Sequence, residues 1–169
     1  MTNVHVWYNL DCASFKLYAE SKKFHLISHI RREPLDNKYL AYVINSLTKQ
    51  SEDKALHVLV LSNRDVQLRS IDQLLKSVNL LYQITECRQN TKFICIDLLS
   101  GQSYIIKKIK KQLTDIASHN NEVQSLRNFG CRLSSDDFVS RTRLTSAGSK
   151  KVEEKLIRVI TSIVRKNYF

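Results

Sequence analysis

The sequence predicts an α/β domain: a mixed sheet of about five strands with helices packed on it, followed by a helical, basic C-terminal extension. Three observations predict it. Short β-branched and aromatic runs open the chain. From Asp36 onward, stretches with helical apolar spacing alternate with compact apolar runs. The last third then combines helical patterning with most of the net positive charge.

Each element has its own reason. Residues 4–8, Val-His-Val-Trp-Tyr, have strand composition. Phe15, Leu17 and Ala19 alternate with polar neighbours and read as a second strand. Ser21-Lys22-Lys23 reads as a turn into a third strand over 24–30, which makes a hairpin. Pro34 stops that strand. Leu40, Val43, Ile44 and Leu47 then fall at helical spacing, with Asp36 or Asn37 available as N-cap. Residues 56–61, Leu-His-Val-Leu-Val-Leu, are the near-continuous apolar run of a strand covered on both faces. Leu68, Ile71, Leu75, Val78 and Tyr82 form the stripe of a second helix, and residues 93–96, Phe-Ile-Cys-Ile, a last buried strand. The order is strand, strand, strand, helix, strand, helix, strand.

The chain of 169 residues suits a single compact unit. Its organisation divides into an α/β core over 1–100 and a basic, mainly helical extension over 101–169 packed on it. The extension holds a helix over Tyr104–His119 and a final helix with Val152, Leu156, Val159, Ile160 and Ile163 on one face, for which Ser149 is the expected N-cap. Residues 101–169 contain 14 basic and 6 acidic residues and so carry +8 of the total +11.

Composition excludes several classes. Hydrophobic residues make up 43% and charged residues 25%, which argues against wholesale disorder, and 3 Gly with 1 Pro exclude collagen-like and linker-like chains. The apolar opening stops at Asp11, too soon for the core of a signal peptide, and no apolar run reaches the ~18 residues of a membrane span. Cys12, Cys87, Cys95 and Cys131 stand far apart and His5, His25, His29, His57 and His119 lack zinc spacing, so reduced thiols and no resident metal are expected. These readings place the protein in the cytoplasm, with no membrane partner.

The strand and helix order over residues 4–98 resembles the ribonuclease-H-like fold. Residues 4–33 and 39–75, an opening strand, a hairpin, a helix and a hydrophobic strand ending in polar residues, are similar to bacterial host-attachment proteins and release-factor-like domains. Residues 91–104 with their lysine-rich continuation are similar to the Holliday-junction resolvase group. The first resemblance implies a ribosome- or translation-associated role, the second a metal-dependent, structure-selective nuclease.

Two basic constellations bear on the partner. Lys107, Lys108, Lys110 and Lys111 fan over one side of a helix whose other side is apolar, free to track a phosphate backbone or simply to stay solvated. Arg141, Arg143, Lys150 and Lys151, interleaved with hydroxyls before the last helix, suit phosphate oxygens or form a plain surface loop. Gly148-Ser149-Lys150 lacks the earlier glycine and strand of a P-loop. Asp11, Asp65, Asp97 and Asp137 stand where the resolvase resemblance would place carboxylates around Mg²⁺, although Asp136 and Asp137 equally suit the first turn after a Ser134 or Ser135 N-cap. The expectation is a non-catalytic protein that binds RNA or a ribonucleoprotein without a cofactor. The alternatives are the Mg²⁺-dependent nuclease, and an interaction module that could dimerise through an amphipathic helix.

Overall fold

The computed structural model describes residues 2–8, 24–30, 43, 45, 54–61, 71–86, 88, 90–97, 99, 103–119, 134–140 and 143–165. Within them the chain runs β1 (Thr2–Tyr8), β2 (Phe24–Ile30), β3 (Ala55–Leu61), α1 (Ile71–Glu86), β4 (Thr91–Asp97), α2 (Tyr104–His119), a 3-10 turn (Ser135–Asp137) and α3 (Ser146–Arg165). The fold is α/β, with a four-stranded sheet ordered β2-β1-β3-β4.

Every pairing in that sheet is parallel, which corrects the expectation of a mixed sheet. Tight connections between the leading strands would make antiparallel pairs. Instead β1 and β2 run side by side in one direction, Thr2 opposite Phe24 and Tyr8 opposite Ile30. Parallel neighbours need a connection of about a dozen residues or more, and the segment 9–23 supplies that length. The strand expected at Phe15, Leu17 and Ala19 lies outside the described residues.

Side-chain alternation along the strands sends two different sets of residues to the two faces. Val4, Val6, Phe24, Leu56, Val58, Val60, Ile94 and Ile96 pack with Val152, Leu156, Ile160 and Ile163 of α3. Trp7, Leu59, Leu61, Phe93 and Cys95 pack on the other face with Leu74, Leu75, Val78, Leu81 and Tyr82 of α1 and with Ile109 and Leu113 of α2. Val43, in helical conformation as expected, joins this second cluster. All seven residues of β3 are buried, as its unbroken apolar run requires of a strand covered on both sides.

Local chemistry sets the helix ends. The backbone N–H of Arg88 donates to the carbonyl of Thr85, and four residues separate Glu86 from Thr91, so α1 ends beside the amino end of β4. On α2, Ser103 Oγ accepts the N–H of Ile106 at 3.3 Å, and Lys107 N–H donates to Ser103 O. The last helix starts three residues before the expected cap. Thr145 Oγ accepts the N–H of Gly148 at 3.0 Å, and Ser149 is buried inside the first turn. Among the described residues no helix is long and apolar enough to cross a membrane.

Candidate functional site

The chain passes from β1 to β2 on one side and then returns to build β3 and β4 on the other, so the direction of winding reverses between β1 and β3. In doubly wound parallel sheets that reversal opens a crevice outside the carboxyl ends of the two strands, where ligands bind. The corresponding position in this sheet is beyond Tyr8 and Leu61, the carboxyl ends of β1 and β3. Asp11 and Asp65 follow those strands in sequence but lie outside the described residues, as does Arg141.

Asp97 ends β4 at this same edge, one strand further along. Burial raises the pKa of its carboxyl group. The Lys110 ammonium, 3.7 Å away on the second turn of α2, and the backbone N–H of Leu99 oppose that rise. This ion pair fixes the starting half of α2 beside the carboxyl edge, where Tyr104 and Ile105 stand exposed.

Asp137 does a different job. Its Oδ2 accepts the backbone N–H of Ser134 at 2.9 Å, and Lys151 Nζ reaches Oδ1 at 2.9 Å and Oδ2 at 3.1 Å. The Ser134 N–H, followed by the Lys151 ammonium, holds the carboxyl group below its ordinary range. The Asp137 carbonyl accepts the N–H of Thr145 at 2.8 Å, and the Phe138–Leu144 bridge closes the loop. Gly148 packs so closely on this carbonyl that a Cβ there would collide with it. Asp137 therefore staples the start of α3 to the turn before it, the first-turn role that Ser134 and Asp137 allow in sequence. Among the described residues no group of three or more His, Cys, Asp or Glu is arranged to hold a metal ion.

The basic residues divide between the two faces. Lys107, Lys108, Lys110 and Lys111 are exposed on α2, over the Trp7 side of the sheet. Arg143 and Lys150 are exposed, and Lys151 is bound to Asp137, at the start of α3 over the Val4 side. The sheet separates the two groups, so the structure does not assemble them into one surface.

Sequence reasoning missed a cluster on the Trp7 face. Pairing sets His5 opposite His57 and Trp7 opposite His29. The Trp7 and His29 rings stack with centroids 3.6 Å apart, and those of His5 and His57 4.6 Å apart. Trp7 Nε1 donates to His57 Nδ1 at 3.2 Å, and His5 Nδ1 and His29 Nε2 are hydrogen-bonded at 3.0 Å. Burial, then the neighbouring imidazoles, lowers His57 to about 3 and His29 to about 4, and burial with His25 lowers His5. The signal available in sequence was a histidine at an alternating position of each of three strands. Only the parallel register turns that into contact.

No family model and no curated protein matches the chain. In fold it is similar to a solved structure, a member of the lipolytic protein G-D-S-L family from Veillonella parvula DSM 2008. The TM-score is 0.68 at 12% identity, with 95% of this chain and 99% of that chain covered. The shared fold is not ribonuclease-H-like. The resemblance to host-attachment, release-factor-like and resolvase domains is corrected by it, and the described strands run parallel throughout. RNA binding, ribosome association and the Mg²⁺-dependent nuclease are corrected with it.

Proposed function

We propose that the protein hydrolyses a carboxylic ester of an apolar acid at the carboxyl edge of its sheet. The observation that carries this reading is the likeness in fold to the lipolytic protein, which runs through nearly all of both chains. The edge between β1 and β3 is where this class of sheet binds small ligands. Tyr104 and Ile105 give the neighbouring start of α2 an apolar surface, and Asp97 with Lys110 a polar one. An ester with an apolar acyl chain presents the same two chemistries.

Release of p-nitrophenol from acetyl, butyryl and octanoyl esters tests the reading. Turnover with the longer acyl chains, above that of heat-denatured protein at equal concentration, is the expected result. No turnover of any of the three overturns it.

One observation favours a second reading, ester or acyl binding without hydrolysis. The neighbour's family is named for Gly-Asp-Ser-Leu, yet Gly101, Gly130 and Gly148 of this chain are followed by Gln, Cys and Ser. Calorimetric titration with octanoate separates the two: saturable binding with no ester turnover establishes the second reading.

A further inference from the structure

The His5–His29–His57 array has a donor and acceptor pattern that requires a neutral His57 and tolerates at most one added proton between His5 and His29. An indole N–H can donate but never accept. Trp7 therefore requires a bare lone pair on His57 Nδ1, which places the proton of that ring on Nε2. A second proton on His57 would set one N–H against another. Between His5 and His29 one ring nitrogen donates and the other accepts. That pair survives one added proton, taken on the far nitrogen of the donor ring, and loses its hydrogen bond with the next.

Ring geometry adds to the cost of protonation. The planes lie within 5° for His5 and His57, 13° for His5 and His29, and 6° for Trp7 and His29. Imidazolium rings stacked face to face repel each other across a short gap. Among the described residues of this face, α1 brings the titratable Tyr82, α2 the apolar Ile109 and Leu113 with Lys110 paired to Asp97, β4 the Cys95 thiol with Asp97 at its end, and Val43 an aliphatic side chain. His25 on β2 adds like charge to His5.

The element least able to resist is β2. Among the described strands it stands at one end of the sheet and pairs with β1, whereas β3 is bonded on both sides and buried throughout. We propose that the histidine array with Trp7 is an acid-operated latch that holds the edge strand β2 against β1. The latch is closed at neutral pH, where all three rings are uncharged. As pH falls below the ordinary histidine range of ~6.5, the open state binds protons that the closed state excludes, so opening is favoured progressively toward acid. Each proton taken up on opening raises the opening constant about tenfold per pH unit.

Hydrogen exchange of the full chain between pH 7 and pH 5, corrected for intrinsic rates, tests this directly. Residues 24–30 are expected to lose protection about tenfold or more per unit, while residues 91–97 hold theirs. Emission of Trp7, the one tryptophan in the sequence, is expected to shift red over the same range. Replacing His5→Phe and His29→Phe keeps the stacked rings and removes their protons, and is expected to flatten the dependence. Loss of protection in both segments together, or in neither, overturns the latch, and the wild-type exchange decides it even if the variant does not fold.

Discussion

The two faces of the sheet are built from alternate residues of the same strands and are chemically unlike. Toward α3 the strands offer Val4, Val6, Phe24, Leu56, Val58, Val60, Ile94 and Ile96, a buried surface that is mostly aliphatic. Toward α1 and α2 they offer Trp7, Phe93 and Cys95, with His5, His29 and His57 in ring contact. Hydrogen bonds with fixed directions thread this second face: Trp7 to His57, and the Cys95 backbone N–H to the Tyr82 hydroxyl at 3.1 Å. Aliphatic packing is close to indifferent to pH and direction, since it depends on area removed from water. A face held by imidazoles depends on protonation as well. The difference teaches that one sheet can have a pH-insensitive side and a pH-sensitive side.

The sharpest way to break this comparison is to truncate one residue on each face. Trp7→Ala is expected to cost about 3–5 kcal/mol at pH 7.5, and Ile96→Ala about 2–5 kcal/mol. Urea unfolding at pH 5 should leave the Ile96 cost unchanged and shrink the Trp7 cost, because acid has already weakened the contacts that Trp7 makes. Equal Trp7 costs at the two pH values would refute the distinction. A smaller effect, about 2 kcal/mol, is expected for Gly148→Ala, whose methyl group meets the Asp137 carbonyl on the α3 side. It should be as large at pH 5 as at pH 7.5. The smallest is Tyr82→Phe, about 1 kcal/mol for the acceptor of the Cys95 N–H, read from the urea midpoint.

Much of this architecture was legible in the sequence. The run 56–61 announced a strand covered on both sides, and the stripe Ile71, Leu75, Val78 and Tyr82 announced α1 because helical spacing records which residues meet the core. Helix α2 was legible because Ile106, Ile109, Leu113 and Ile116 recur at helical spacing among its lysines. Strand direction was not legible, since alternation is the same in parallel and antiparallel sheets. The turn expected at Ser21-Lys22-Lys23 lies outside the described residues, and what the register adds is the parallel pairing of β1 with β2. The start of α3 was misplaced for a local reason: Thr145 and Ser149 both suit a cap, and only the packing of Gly148 against Asp137 selects Thr145. The histidine cluster was hidden for the same reason as strand direction. Its members, at positions 5, 29 and 57, meet through register and not through spacing.

The placement of α2 and α3 on opposite sides of the sheet has an electrical consequence. Among the described residues exposed lysines and arginines stand on both outer layers, so their positive charge does not gather on one side. Charge spread this way keeps copies of the molecule apart from either direction, and it gives a charged visitor little torque.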